Sequence, residues 1–196
     1  MRKRKFIFAA LSVATVPAFA KKRIQPIKET GPTLLTISGA IGKGNRGALD
    51  PALDQMMHKQ TIQFDKAYVY NFSALTSYPA VEITPTLEYD AKAHTLRGPL
   101  LNDVIATAAG TALPGNTTVK LRAVDGYVVQ VALADIRKYG FIVATHIDGH
   151  PIPLGGLGPL WAVYAPDRFP EMMARPLSAR FSLCPWALYH IELGTA

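Results

Sequence analysis

The stretch from Thr145 to Tyr164 reads THIDGHPIPLGGLGPLWAVY and is the most distinctive part of the sequence. It opens with a tight turn at Asp148-Gly149, and its glycines and prolines exclude a helix. It ends in an apolar run that carries two aromatic residues, Trp161 and Tyr164. The glycine-rich part of this stretch has few side chains and lies next to aromatic residues in the sequence. This combination predicts a place where a flat molecule approaches the main chain. The alternative interpretation is a crowded loop that feeds a core strand.

Short strands and turns surround this stretch. Asp125-Gly126 joins two β-rich runs, 117–124 and 127–131, into a predicted hairpin. An amphipathic helix is predicted to begin at Gly98-Pro99 and to stop near Gly110. Many short strands with few helices predict a single domain of α+β, mainly β, class. Further strands are predicted at 34–39, 63–71, 81–84, 86–89, 94–97, 141–145, 159–164 and 186–193, and further helices from Pro51 and at 73–77, 132–137 and 167–173.

The first residues have the pattern of a cleaved secretory signal peptide over residues 1–20. A positive run at 2–5 precedes an apolar run at 6–19, and Ala18-Phe19-Ala20 is a small-x-small cleavage site. An uncleaved membrane anchor is the alternative. Residues 21–33 are predicted to be an extended lead-in, and residues 34–196 to form the domain of an exported protein.

Charge and cysteine content exclude some functions. The whole chain has a net charge of +7, but loss of residues 1–20 leaves 17 basic against 14 acidic residues, a net charge of +3. No basic stripe interleaved with aromatic residues is present, so no nucleic-acid partner is predicted. The single cysteine, Cys184, has no partner for an internal disulfide, and burial in the core is predicted rather than a reactive or ligating role.

No catalytic or metal-binding motif is recognisable from the residues alone. His146 and His150 are four residues apart, an interval that places two ligands on one face only in a helix, and Asp148-Gly149 makes this segment a turn. No G-x-S-x-G, phosphate-binding loop or dinucleotide-binding glycine pattern is present. The residues therefore predict no metal site and indicate a soluble exported domain with a Gly/Pro-rich aromatic loop.

From about Leu34 to Leu193 the sequence resembles small secreted proteins with the molybdopterin-binding fold of sulfite oxidase. The resemblance implies mixed sheets with a few short helices in a single domain. It rests on short segments in order: LTISGAI (35–41) with NRG (45–47), FDKA (64–67), LRGPLLNDV (96–104), DGY (125–127), ATHIDGHP (144–151), GPLWAVY (158–164) and WAL (186–188).

One departure from the resembled family concerns its metal. Catalytic members coordinate molybdenum through a cysteine thiolate in a loop ahead of the helix that here is predicted from Pro99. In this chain the loop is Ile83 to Glu88, ITPTLE, and it has no cysteine. Molybdenum prefers a soft sulfur donor, and a threonine oxygen replaces it poorly. The resemblance thus implies a protein that is not an enzyme, with neither molybdenum nor another catalytic cofactor.

Members without this cysteine resemble the PruR-type periplasmic regulators, which bind a reduced pterin. In that family the protein acts with the periplasmic domain of a membrane-bound protein that has diguanylate cyclase (GGDEF) and phosphodiesterase (EAL) domains. The resemblance implies a periplasmic sensory protein that regulates cyclic di-GMP and biofilm formation, and that meets the membrane only through this partner. Two alternatives stay open: a molybdopterin-dependent oxidoreductase or its accessory subunit, and a structural partner with an empty pocket.

A pterin site needs an aromatic face and polar groups for the ring edge. Trp161 and Tyr164 are the predicted stacking residues, and three residues apart in a strand they point to opposite faces, so one of them is expected to stack. Core burial is the alternative for both. The other candidates are Trp186 as a second aromatic, Asp148 and Asp125 as acceptors, Asn45 and Arg46 as donors, and His150 and Arg180, with backbone groups of 155–158.

Overall fold

The computed structural model describes residues 31–194. The predicted signal peptide and residues 21–30 of the predicted lead-in lie outside the described residues. Within residues 31–194, no helix is both long and apolar enough to cross a membrane.

The described residues form short strands and short helices. The strands are β1 (Thr33–Gly39), β2 (Tyr68–Asn71), β3 (Ala80–Ile83), β4 (Leu96–Pro99), β5 (Thr118–Ala123), β6 (Val128–Ala132), β7 (Ile142–Ala144), β8 (His146–Ile147), β9 (His150–Pro151), β10 (Trp161–Val163) and β11 (Leu188–Leu193). The helices are α1 (Gln55–Lys59), α2 (Phe72–Thr76), α3 (Leu101–Ala109), α4 (Leu133–Tyr139) and α5 (Pro170–Met173), with 3-10 turns at Pro166–Arg168 and Leu177–Ala179.

The main sheet has five strands in the order β2-β1-β11-β5-β6. The central strand, β11, is parallel to its neighbour β1, and the other neighbouring strands are antiparallel. Alternate residues of β5, Val119, Leu121 and Ala123, are buried in the core, as the period of two in a strand requires. The predicted hairpin is confirmed, since β5 and β6 pair directly across the turn at Asp125-Gly126.

Two smaller sheets pack with the main one, a four-stranded sheet in the order β3-β4-β8-β9 and the pair β10-β7. Gly98 allows β4 to lie against β7, because a Cβ at this position would be 1.9 Å from the carbonyl oxygen of Val143. This close approach explains a glycine inside a strand.

Helix α3 follows β4 and buries its apolar face, which includes Leu101, Val104 and Ile105. It begins at Leu101 rather than at Gly98-Pro99, because Pro99 is the last residue of β4. Its predicted stop is confirmed at Gly110, which has a left-handed φ of 67° and donates its N–H to the carbonyl of Ala106.

Residues 84–94 form a turned loop, here called the finger, where the sequence predicted a strand at 86–89. The N–H of Leu87 donates to the carbonyl of Lys92 at 2.8 Å, and the N–H of His94 donates to the carbonyl of Pro85 at 3.1 Å. The predicted strand is wrong because the chain folds back on itself within a few residues. The fold class, α+β and mainly β in a single domain with few short helices, is confirmed.

Candidate functional site

A groove of about 380 Å³ opens beside the turn of the β5–β6 hairpin. Three segments distant in sequence form it: the finger, the hairpin and residues 178–186, here called the C-terminal segment. The lining residues are Glu88, Tyr89, Ala123, Asp125, Tyr127, Ser178, Phe181, Ser182, Cys184, Pro185 and Trp186.

Each of the three segments contributes an exposed aromatic side chain to the groove. Tyr89 is 58% exposed, Tyr127 is 49% exposed and Trp186 is 38% exposed. Aromatic faces left open to solvent around one cavity suit the stacking of a planar ring.

The polar groups of the groove are acidic or neutral. Glu88 and Asp125 are its two carboxylates, and no lysine, arginine or histidine is among the lining residues. Asp125 Oδ1 accepts the N–H of Tyr127 at 2.9 Å, and the Tyr127 hydroxyl donates to the carbonyl of Ser182 at 2.9 Å. The first bond stabilises the hairpin turn, and the second connects the hairpin to the C-terminal segment.

Cys184 and Tyr89 stay neutral in this groove. Burial raises the pKa of the Cys184 thiol, and the negative charge of Glu88 raises it further. Burial also raises the pKa of the Tyr89 phenol, again with a contribution from Glu88. The predicted burial of Cys184 is confirmed. At neutral pH it presents a thiol rather than a thiolate.

Trp161 lies behind the groove and not in it, which corrects its predicted place as a stacking face. The residue is 1% exposed, and its ring lies 6.0 Å from the ring of Phe181. Its indole N–H donates to the carbonyl of Cys184 at 2.9 Å. Trp161 therefore positions the C-terminal segment.

Tyr164 is also a core residue, and its predicted place as a stacking face is corrected in the same way. It is 1% exposed, and its ring packs 4.8 Å from that of Phe141. Its hydroxyl donates to the carbonyl of Arg180 at 2.8 Å, and burial raises its pKa. All of β10 is buried, so neither face of this strand is open to a ligand.

Asn45 and Arg46 hold the loop that pairs with β2 and do not line the groove. The amide of Asn45 donates to the carbonyl of Val69 at 3.0 Å and accepts the Val69 N–H at 2.7 Å. Arg46 forms an ion pair with Asp54 and lies over the ring of Phe64, 5.3 Å from its centre. Strand β2 is at the opposite edge of the main sheet from β6, whose hairpin forms the groove.

Asp148 and His150 belong to the β8–β9 turn, outside the groove lining. Asp148 has a left-handed φ of 48°, contacts His94 Nδ1 at 2.6 Å and accepts the N–H of Thr95 at 2.9 Å. His94 also contacts Asp90 at 3.0 Å, so it lies between two carboxylates. His150 is exposed on β9.

Arg180 is likewise outside the groove lining. Its guanidinium donates to the carbonyls of Arg175 and Met173 at 3.1 Å, and reaches Asp167 at 3.4 Å. These contacts fold the chain ahead of the groove residues Phe181 and Ser182.

Two of the predicted site residues, Asp125 and Trp186, are brought together in the groove. Sequence reasoning missed Glu88, Tyr89 and Tyr127. Tyr127 follows the Asp125-Gly126 turn, and Glu88 ends the segment that corresponds to the ligand loop of the resembled family. Their positions, next to the Asp125-Gly126 turn and in the segment that corresponds to the ligand loop, were the signal in the sequence that could have identified them as site residues.

Comparison with solved structures identifies the fold. The crystal structure of the sulfane dehydrogenase SoxCD from Paracoccus pantotrophus matches this chain with a TM-score of 0.54 and 10% sequence identity. The fold is sulfite oxidase-like. The match covers 83% of this chain but 38% of that protein chain, and at this identity the similarity concerns the fold alone. No protein-family profile matches the sequence, and a search of curated proteins gives no match.

Proposed function

We propose that this sulfite oxidase-like domain binds a reduced pterin in the groove and acts as a periplasmic sensory protein without catalytic turnover. The observation that carries the proposal is the convergence of three exposed aromatic residues and two carboxylates on one cavity. A pterin is a flat bicycle whose pyrimidine edge offers an amino group and an adjacent N–H. That combination calls for an aromatic face together with a carboxylate acceptor.

The dimensions and chemistry of the groove support this ligand class. Its volume of about 380 Å³ lies within the range of about 300–1,000 Å³ typical of small-molecule sites. Trp186 and the two tyrosines offer stacking worth about 0.5–1.5 kcal/mol per aromatic pair beyond area burial. Asp125 or Glu88 accepts hydrogen bonds from the two N–H groups of the ring edge. The negative charge of the carboxylate makes these hydrogen bonds stronger than those to a neutral acceptor.

The residues of the groove do not fit a molybdopterin cofactor. The loop from Ile83 to Glu88 offers no sulfur, and Cys184 is a buried neutral thiol. A molybdopterin also carries a phosphate, which needs a cationic or N–H-rich cradle, whereas the lining residues include two carboxylates and no cation. Among residues 31–194 no group of three or more potential His, Cys, Asp or Glu ligands forms a candidate metal site.

Binding of a reduced pterin to the purified domain tests the proposal by calorimetry under anaerobic conditions. We expect one molecule per chain, and a Trp186→Ala variant should bind about tenfold more weakly because it loses a stacking face. His150→Ala is the matched control, since His150 is exposed and outside the groove. Absence of saturable binding by any reduced or oxidised pterin would overturn the proposal. Stoichiometric molybdenum in protein purified from the periplasm would favour the oxidoreductase alternative.

We further propose that the signal passes by contact with the periplasmic domain of a membrane-bound GGDEF/EAL protein, and so changes cyclic di-GMP and biofilm formation. The resemblance and the predicted signal peptide support this step. A ligand can bias such a partner only if it binds one state of the complex more tightly than another. Co-purification with that domain should therefore change when a reduced pterin is added. Identical co-purification with and without pterin would contradict this mechanism.

A further inference from the structure

Three buried polar atoms without hydrogen-bond partners belong to one row of residues across the main sheet. Thr36 on β1 pairs with His190 on β11, and His190 pairs with Arg122 on β5, so their side chains are neighbours on one face of the sheet. Thr36 Oγ1, His190 Nδ1 and Arg122 Nε are buried, and none has a partner among the described residues. Buried polar atoms without partners are costly, so three of them in one row indicate a bound solute.

The row faces away from the main hydrophobic core. Leu121 on β5 belongs to that core, so Arg122 next to it faces the other side of the sheet. Val124, again on that side, packs with Met57 and Ile62, which cover part of it. Thr36 is 1% exposed and His190 is fully buried, whereas Arg122 is half-buried. The row is therefore closed to solvent except at its Arg122 end.

The row carries one positive charge that no carboxylate balances. In the described part of the chain, no carboxylate oxygen lies within 4.0 Å of the Arg122 guanidinium. Glu192, two residues after His190 on β11, contacts Lys120 at 2.9 Å instead. His190 is uncharged at neutral pH, because burial lowers its pKa to about 4. A partly buried cation without a counter-charge calls for an anion rather than a water molecule.

Each of the three unpartnered atoms can donate a hydrogen bond. The Ser38 hydroxyl contacts His190 Nε2 at 3.0 Å, and when Ser38 donates this bond, the proton of the neutral imidazole is on Nδ1. The Thr36 hydroxyl and the Arg122 Nε–H are the other two donors. Neighbouring strands are about 4.8 Å apart, which leaves room between their side chains for an ion of one atom rather than for a phosphate.

We infer that the row formed by Thr36, His190 and Arg122 binds a halide ion such as chloride. The ion accepts hydrogen bonds from all three side chains and balances the charge of the guanidinium. It joins β1, β11 and β5, the three inner strands of the main sheet, and so stabilises the folded protein. None of the three residues lines the groove, so the inference does not depend on the proposed function.

Thermal unfolding at neutral pH tests the inference, with sodium chloride compared with sodium gluconate, whose anion is too large for the row. At about 0.15 M salt, we expect the wild-type protein to melt about 3–5 °C higher in chloride. Arg122→Gln should lose this shift. Arg168→Gln, the control, removes the same charge from an exposed position and should keep it. Equal shifts in the wild-type protein and Arg122→Gln would overturn the inference.

Two further measurements cover the case in which Arg122→Gln does not fold. Thr36→Val keeps the shape of the side chain and removes one donor, so the chloride-dependent shift should fall to roughly half. An undiminished shift in this variant would overturn the inference. Crystals of the wild-type protein grown in sodium bromide should give an anomalous scattering peak between His190 Nδ1 and Arg122 Nε. A water molecule at this position, without anomalous scattering, would also overturn it.

Discussion

At Gly158 the backbone lies so close to the backbone of Ile152 that no side chain fits between them. A Cβ at this position would be 2.4 Å from the carbonyl oxygen of Ile152. Two residues earlier, Gly156 has no neighbouring atom nearer than 3.5 Å to the same added atom. The Gly/Pro-rich stretch thus contains one glycine required by packing and another that packing does not require.

Substitution Gly158→Ala should lower the free energy of unfolding by about 1–3 kcal/mol, since the backbone must move to relieve the overlap. Gly156→Ala, in the same loop, should change it by less than about 0.5 kcal/mol. Urea denaturation of both variants measures the difference. Equal stabilities would show that the Ile152 carbonyl moves aside at no cost.

The role of Trp161 as a positioning residue leads to a second prediction at this scale. Trp161→Phe removes the N–H donor to the Cys184 carbonyl and leaves a gap behind the C-terminal segment. We expect about 1–3 kcal/mol of lost stability together with weaker pterin binding. Trp186→Phe, which keeps an aromatic face at an exposed position, should retain stability. Retained stability and affinity in the Trp161 variant would contradict the positioning role.

At the scale of elements, the finger is linked to the β8–β9 turn by His94 and Asp148. His94 lies at its end between Asp90 and Asp148, and the hydrogen bond to Asp148, followed by the one to Asp90, raises the pKa of His94. A raised pKa means that the protonated imidazolium stabilises this contact below about pH 6.5, and that the contribution is lost as the pH rises through the higher folded-state value.

The finger should therefore loosen when the pH rises or when His94 is replaced. For His94→Gln we expect faster cleavage within residues 84–94 by a protease, and pterin affinity lower by several-fold, because Glu88 and Tyr89 are on the finger. Limited proteolysis and calorimetry at several pH values measure both effects. His58→Gln, a histidine on α1, is the control. A pH profile that is the same in wild type and His94→Gln would contradict this role.

At the scale of the whole molecule, one histidine is buried in the main sheet. His190 on β11 is fully buried; its Nε2 contacts the Ser38 hydroxyl at 3.0 Å, and its Nδ1 has no hydrogen-bond partner among the described residues. Burial lowers its pKa from 6.5 to about 4, and the positive charge of Arg122 contributes while Glu192 opposes. The imidazole is thus neutral in the folded protein at neutral pH.

Acid should destabilise the fold through this residue. Above about pH 6.5 His190 contributes no pH dependence to the stability. As the pH falls toward about 4 the unfolded chain binds a proton at this residue that the folded chain does not, which costs about 3 kcal/mol. His190→Asn cannot titrate, so it should lose less stability over this range, although it is less stable at neutral pH. Urea unfolding across the range measures both. An equal loss in both proteins would contradict the assignment.

The fold was largely predictable from the sequence, and the groove was not. The β5–β6 hairpin and α3 follow from a turn and a periodicity within a few residues. The groove brings together Glu88, Asp125 and Trp186 from three segments that are distant in the sequence. No pattern within one segment predicts that these residues are close in space. The sequence left core burial of Trp161 open as the alternative to stacking, because alternation along a strand does not show whether both of its faces are covered.

The position of β11 between β1 and β5 has a consequence for how the chain matures. Strand β11 pairs with β1 on one side and with β5 on the other, so the pairs β2–β1 and β5–β6 are joined in the main sheet only through it. A chain in which residues 188–193 are not yet docked leaves the facing edges of β1 and β5 without hydrogen-bond partners. Closure of the main sheet therefore depends on docking of the last strand, and the chain without it is the form most prone to aggregation.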